Sequence, residues 1–158
     1  MDADHRGSES GERMSNKDIV RRVTEEPWSG DYSSIDELVA PGFIGRDPAQ
    51  PDINGPQGMK EFYDEFRAGF PDARVTIGKL LEDGEYIVSQ WTGTGTHQGE
   101  VFGIGASGKQ VTVSGITISR IADGKLAEEW TNWDTLGMLQ QIGAVPAMET
   151  ETAKAQEF

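Results

Sequence analysis

The sequence predicts an α+β fold in which helices pack on one face of a curled antiparallel sheet. Apolar residues recur at helical spacing in the first half of the chain and at every second position in much of the second half. A run of helices followed by a run of strands is typical of α+β domains. The length of 158 residues suits one such domain.

Three helices are predicted before the main strands. The first begins after the N-cap Ser15 and ends before Pro27, and the second begins at Ser34 and ends at Pro41. The third begins at Pro56 and has an apolar stripe at a period of 3.6 residues. The stripe consists of Met59, Phe62, Tyr63, Phe66 and Phe70.

Alternation predicts two long hairpins, and each has an Asp-Gly turn that tolerates positive φ angles. Their arms are residues 74–81 with 86–96, and residues 110–121 with 126–133. A brief strand is predicted at residues 43–44 and a last helix at residues 135–142.

Composition limits the classes of partner. The formal net charge of -13 disfavours nucleic acid and anionic lipid, and no apolar segment is long enough to cross a bilayer. We therefore expect a cytoplasmic protein. Polar, aperiodic ends predict a disordered extension at 1–14 and a tail at 147–158, around a domain at 15–146.

Neither a metal nor a cofactor is predicted from local motifs. The chain has no cysteine, and His, Asp and Glu do not recur at ligand spacing on one element. The segment 103–108 matches a dinucleotide-binding glycine pattern, but an alternating strand follows it where a phosphate site needs a helix. The glycines indicate a flexible loop between strands.

Candidate catalytic residues come from the second hairpin and the strand end before it. If the two strands pair without interruption from the turn, one face carries the residues Ser119, Thr117, Gly115 and Val113 opposite Glu128, Trp130, Asn132 and Asp134. A carboxyl group on an apolar face has a raised pKa and can act as a base. Asp134 is the first candidate, although it also stands where the N-cap of the last helix belongs. His97 is the second, as a pocket residue or a surface loop residue.

Large aromatic side chains supply the surface for binding a small hydrophobic ligand. They are Trp28, Phe66, Trp91, Phe102, Trp130 and Trp133. The predicted substrate-binding residues are Trp28, Phe66, Trp91, Phe102, Glu128, Trp130 and Asn132. The sheet face away from the helices is predicted to carry Ile116, Ile118 and Trp133, an apolar strip that predicts a homodimer.

Four segments, in order, resemble the SnoaL-like polyketide cyclases of the ketosteroid isomerase and nuclear-transport-factor superfamily. They are Trp28 to Asp31, Phe70 to Asp72, Gly95 to Gly99 with Phe102 to Ile104, and Asp123 to Trp130 running on to Asp134 and Gly143. The resemblance implies a cone-shaped sheet around a deep cavity and dimerisation across the open sheet face. It also implies an aldol closure without metal or cofactor, with Asp134 matching the family's catalytic aspartate.

These observations lead to one main hypothesis and two alternatives. The main hypothesis is cofactor-independent acid–base chemistry on an enolisable carbonyl compound, of the aldol cyclase or isomerase type, with Asp134 moving the proton. The first alternative is a non-catalytic protein that binds a small hydrophobic ligand, in which Asp134 caps a helix. The second is a hydrolase of the same fold.

Overall fold

The computed structural model describes residues 14–147, and it confirms the predicted α+β class. Four helices accompany a curved sheet of six strands within this range. The strand order is β2-β1-β6-β5-β4-β3. Apart from residues 14 and 147, the predicted extension and tail lie outside the described residues.

Two short helices and a 3₁₀ turn begin the domain. Helix α1 (Asn16–Glu25) starts as predicted, because the Ser15 hydroxyl accepts the Asp18 amide at 3.1 Å. A 3₁₀ turn (Glu26–Ser29) follows, and then helix α2 (Ser33–Leu38). The start predicted for the second helix at Ser34 is one residue late, and Ser34 lies buried inside α2.

Helix α3 (Gly55–Gly69) carries the predicted apolar stripe toward the sheet. Pro56 occupies the first turn, where its missing amide hydrogen costs nothing. Met59 and Tyr63 are buried in the main core, and Phe62 packs against that core. The Tyr63 hydroxyl donates to the carbonyl of Val23 at 3.0 Å, which ties α3 to α1.

The two predicted hairpins form the larger part of the sheet. Strand β3 (Arg74–Asp83) pairs with β4 (Tyr86–Thr96), and β5 (Gln110–Ala122) pairs with β6 (Lys125–Trp133). Strands β4 and β5 pair without interruption from Tyr86 to Thr96. Helix α4 (Thr135–Gln141) follows β6 directly.

The first two strands complete the other end of the sheet. Strand β1 (Val39–Asp47) is longer than the predicted strand at 43–44, and it includes Pro41. Strand β2 (Gln50–Asn54) was not predicted, and it forms an edge of the sheet. All pairs are antiparallel except β1 with β6, which is parallel.

Two apolar clusters fill the space between helices and sheet. The larger joins α1, α2 and α3 to the inner sheet face around Ile35, Phe43 and Leu126. The smaller joins α4 to the start of β5 around Phe70 and Met138. The candidate site lies where these two clusters meet, because Phe43 and Met138 both line it.

Candidate functional site

A β-bulge in strand β6 decides which of its side chains face the interior. Ile121 pairs with Leu126, but Arg120 then pairs with Glu128, so Ala127 is an extra residue. The uninterrupted pairing predicted from the turn is therefore wrong beyond Leu126. Every side chain that follows lies on the face opposite to the one expected.

A pocket of about 170 Å³ lies between the inner face of the sheet and helix α3. Its wall is mainly aromatic. The rings that line it are those of Trp28, Phe43, Phe62, Tyr63, Phe66, Phe70, Trp91 and Trp133. The Trp28 ring meets the Tyr63 ring edge-on at 4.9 Å and the Phe66 ring at 6.4 Å. Edge-to-face packing of this kind makes a rigid apolar wall.

Glu129 places a carboxyl group on the wall of this pocket. Its side chain is partly buried, and Oε1 accepts the Ser119 hydroxyl at 3.2 Å. Within residues 14–147, no other side chain donates a hydrogen bond to this carboxyl group. Burial raises the pKa of Glu129 to about 7, and the Ser119 hydrogen bond only partly opposes that shift. Its protonation state therefore changes near neutral pH.

A chain of hydroxyl groups lies beside Glu129 on the same sheet face. Trp91 Nε1 donates to Thr117 Oγ1 at 3.0 Å, and Thr117 Oγ1 lies 2.9 Å from Thr131 Oγ1. All three side chains line the pocket. This part of the wall thus combines one carboxyl group and two hydroxyl groups in aromatic surroundings, which suits a ligand with few polar atoms.

A second polar group lies where strands β1 and β2 meet. Asp47 Oδ2 accepts Trp133 Nε1 at 2.8 Å and Gln50 Nε2 at 3.1 Å. All three residues line the pocket. These bonds fix the Trp133 ring, whose face stacks on Phe102 with ring centroids 6.5 Å apart.

Four predicted substrate-binding residues lie in or near the pocket. Trp28, Phe66 and Trp91 line it. Phe102 contacts the rings of Phe66 and Trp133, although 43% of its surface is exposed.

The other three predicted substrate-binding residues lie on the outer face of the sheet, because the bulge inverts their orientation. They are Glu128, Trp130 and Asn132. Glu128 binds Arg46 at 2.7 Å and Arg120 at 2.8 Å, and the hydrogen bonds of these two guanidinium groups lower the Glu128 pKa. The Arg46 guanidinium also lies 5.2 Å from the centre of the Trp130 ring.

His97 is fully buried at the end of strand β4. Its Nδ1 accepts the Ser107 amide at 3.1 Å and lies 2.9 Å from the Ser107 hydroxyl. Because the amide donates to Nδ1, a neutral imidazole carries its hydrogen on Nε2. Nε2 is buried without a partner among the described residues. His97 packs against Phe70 and anchors the loop that follows, and it is not among the residues that line the pocket.

Asp134 forms the N-cap of helix α4. Its Oδ1 accepts the Gly137 amide at 2.8 Å, and its side chain is exposed. It is not among the residues that line the pocket. The cap role foreseen as an alternative is thus present in the structure, while a catalytic role for Asp134 stays a prediction.

Glu129 and Thr131 were missed because strict alternation was counted from the turn. A signal for the bulge was nevertheless present in the sequence. Leu126 and Trp133 are both large and apolar but stand an odd number of positions apart, so they share one face only if the alternation breaks between them.

Two kinds of feature are absent from residues 14–147. No helix in this range is both long and apolar enough to span a membrane. No three His, Asp or Glu side chains in the same range come together as a metal-binding group.

Comparison with known proteins identifies the family. The model of the SnoaL-like polyketide cyclase family matches residues 17–142, which is most of the chain. The chain belongs to this family. The resemblance seen in the sequence is thereby confirmed.

Individual relatives agree with this assignment. Aklanonic acid methyl ester cyclase DnrD of Streptomyces peucetius is 25% identical over 129 residues, which cover 80% of this chain and 89% of that protein. The solved SnoaL-like protein of Jannaschia sp. CCS1 is 27% identical with a TM-score of 0.75, over 83% of this chain and 93% of the other. A solved protein from Acidithiobacillus ferrooxidans is 33% identical with a TM-score of 0.72, over 80% of this chain and 93% of the other.

Proposed function

We propose that this SnoaL-like protein is an enzyme that moves a proton on an enolisable carbonyl compound, and that Glu129 is its base. The observation that carries the proposal is the Glu129 carboxyl group on the aromatic wall of the pocket, with only one hydrogen bond from residues 14–147. A general base works best when its pKa lies near the working pH. Burial brings the pKa of Glu129 to about 7.

The proposed reaction is an intramolecular aldol closure. The Glu129 carboxylate removes a proton from the carbon next to a carbonyl group, and the electron pair moves onto the carbonyl oxygen as an enolate. The enolate carbon attacks a second carbonyl carbon of the same molecule, so that a C–C bond forms and an alkoxide appears. Glu129 then returns its proton to the alkoxide. The sequence balances in atoms and electrons, so the proposed reaction is cofactor-independent.

The pocket's size and lining support a small, largely apolar substrate. A cavity of ~150 Å³ accommodates a benzene molecule, so a pocket of about 170 Å³ suits a molecule slightly larger than benzene. The name of the DnrD relative says that it is a cyclase of a methyl ester. That name supports a cyclase reaction for this chain and leaves its substrate open.

The test uses indanone, a neutral two-ring ketone with exchangeable hydrogens next to its carbonyl group. Binding is followed by quenching of tryptophan fluorescence, and exchange in heavy water is followed by proton NMR. We expect Glu129→Gln to bind indanone normally and to lower the exchange rate by roughly 100-fold or more, because removal of a general base costs that much. Gln keeps the shape and can still accept the Ser119 hydrogen bond.

Two comparison variants sharpen this test. Asp134→Asn and His97→Asn are each expected to retain most of the exchange activity, because neither residue lines the pocket. If Asp134→Asn removes the exchange and Glu129→Gln does not, the base is Asp134. If the wild-type protein binds indanone without exchanging its hydrogens, the proposed enzyme activity is wrong and a binding protein remains.

A further inference from the structure

The hydrogen bond between the Thr117 and Thr131 hydroxyl groups, beside Glu129, has a donor and an acceptor that can be assigned from hydrogen-bond chemistry. An indole N–H can only donate, so Thr117 Oγ1 accepts from Trp91 Nε1. The remaining bond joins Thr117 Oγ1 to Thr131 Oγ1, and either hydroxyl could donate in it. The surroundings of the two hydroxyl groups decide between these directions.

Thr117 and Thr131 both line the pocket, but Thr117 is only 8% exposed, whereas Thr131 is partly exposed. If Thr131 donated, the hydrogen of buried Thr117 would have no acceptor within residues 14–147, which is costly. If Thr117 donates, both the indole hydrogen of Trp91 and the hydroxyl hydrogen of Thr117 have an acceptor. The chain then runs from Trp91 through Thr117 to Thr131, and the Thr131 hydrogen remains free to point into the pocket.

The distance between Thr131 and Glu129 matches the needs of enolisation. They stand two positions apart on one strand and share a face, so their Cβ atoms lie about 6 to 7 Å apart. A bound ketone can span this gap, with its α hydrogen toward the carboxylate and its carbonyl oxygen toward the hydroxyl, at ordinary contact distances of about 3 Å each. A donor placed at that oxygen stabilises the charge that develops there.

We propose that the Thr131 hydroxyl binds the carbonyl oxygen of the substrate and stabilises the enolate, and that Trp91 and Thr117 are positioning residues that direct its hydrogen. This inference rests on the proposed function, since it assigns a second group to the same reaction. This narrows the substrate class to carbonyl compounds whose carbonyl oxygen reaches the Thr131 hydroxyl while an α hydrogen reaches the Glu129 carboxylate.

The experiment compares Thr131→Val, which keeps the shape, with Thr131→Ser, which keeps the hydroxyl. Infrared difference spectra record the carbonyl stretch of isotopically labelled indanone bound to each variant. We expect the stretch to move to higher frequency in Thr131→Val and to stay near the wild-type position in Thr131→Ser. Hydrogen exchange should fall about 100-fold in Thr131→Val with indanone binding little changed, because the donor acts mainly on the developing charge.

A third variant tests the positioning part of the inference. Thr117→Val removes the link between Trp91 and Thr131 while leaving the Thr131 hydroxyl in place. We expect the carbonyl stretch to shift in the same direction as in Thr131→Val, but less. If the carbonyl stretch shifts in Thr131→Val but not in Thr117→Val, Thr131 is the donor, and Trp91 and Thr117 do not direct its hydrogen.

Failure of this inference is distinguishable from failure of the proposed function. A carbonyl stretch that is the same in wild type and Thr131→Val overturns the inference, whatever the exchange rates are. Glu129→Gln should change exchange but not the stretch, so loss of the base leaves the infrared result readable. If indanone does not quench tryptophan fluorescence at all, a pocket for a ketone of this size is refuted, and the inference with it.

Discussion

Glu128 and Glu129 are neighbours in sequence, yet their carboxyl groups have opposite pKa shifts. Hydrogen bonds from Arg46 and Arg120 lower the pKa of Glu128 on the outer face. On the inner face, burial raises the pKa of Glu129 to about 7. One charged group is paired and the other is not, and this difference makes Glu129 the better candidate for proton transfer near neutral pH.

The raised pKa of Glu129 predicts a pH-dependent stability. The folded protein holds this proton up to about pH 7, whereas the unfolded chain releases it near the usual glutamate pKa of 4.5. The stabilisation is therefore complete below the unfolded pKa and is lost as pH rises through the folded pKa, by on the order of 3 kcal/mol. Glu129→Gln does not lose stability in this way, because glutamine does not titrate. Its free energy of unfolding relative to wild type should increase from about pH 4 to about pH 8 in chemical denaturation.

Ser119→Ala is the matched control for that experiment. The Ser119 hydroxyl stabilises the Glu129 carboxylate, so its removal should raise the Glu129 pKa further. The stability profile of this variant should shift to higher pH. A difference between Glu129→Gln and wild type that stays constant with pH would contradict the raised pKa.

At the level of elements, much of the fold could be predicted from local pattern. Strand β4 was predicted with both of its observed ends, 86 and 96, because its alternation is regular and Asp83-Gly84 indicates a turn before it. The turn itself is formed by Gly84 and Glu85, one position later than predicted, since Asp83 pairs with Tyr86. Strand β2 was not predicted, because QPDIN is short, polar and contains a proline. Pro41 suggested the end of a helix, but it lies within strand β1.

The candidate site was less predictable than the fold, and one residue accounts for much of the difference. A single inserted residue, Ala127, changes the face of all residues that follow it in β6. The bulge lies in the pairing of β5 with β6, and the alternation of β6 fits two registers, because Trp130 stands an even number of positions from Leu126 and Trp133 an odd number. The aromatic wall was predicted in part, because ring size and not register indicated Trp28, Phe66 and Trp91.

The N-cap role of Asp134 at helix α4 can be tested by measuring stability. Replacement with Ala removes the acceptor of the Gly137 amide and should lower the free energy of unfolding by about 0.5 to 2 kcal/mol. Asp134→Asn should cost clearly less, because Asn is also a good N-cap. Thermal and urea unfolding measure both effects. Equal stability of the Ala variant and wild type would show that the cap contributes little.

At the scale of the whole molecule, the outer face of the sheet has no helix packed on it within residues 14–147. Leu81 is paired with Val88, Val88 with Ile118 and Ile118 with Trp130, which makes an apolar row across four strands. Leu81 is 63% exposed and Ile118 is 40% exposed. Trp130 occupies the place on this face that was predicted for Trp133, which lines the pocket instead.

This apolar row is the basis for proposing a homodimer. Monomers rarely expose a continuous apolar patch of this kind, and a row of side chains that crosses a sheet can meet its own copy about a two-fold axis. The charges nearby are already paired, since Glu128 binds both Arg46 and Arg120. A second copy therefore has no need to supply counter-charges when the face is buried.

The dimer prediction is tested by placing a charge in the middle of the row. Wild type is expected to sediment and scatter light as a dimer at micromolar concentration, and Ile118→Lys as a monomer, because a buried unpaired ammonium group is costly. Leu136→Lys is the control: Leu136 is similarly exposed, at 53%, but lies on helix α4, and the charge change is the same. Because Ile118 points away from the pocket, the Ile118→Lys monomer should still bind indanone. A wild-type monomer would refute the prediction, and so would equal dissociation by both lysine substitutions, since the row would then have no special part in the contact.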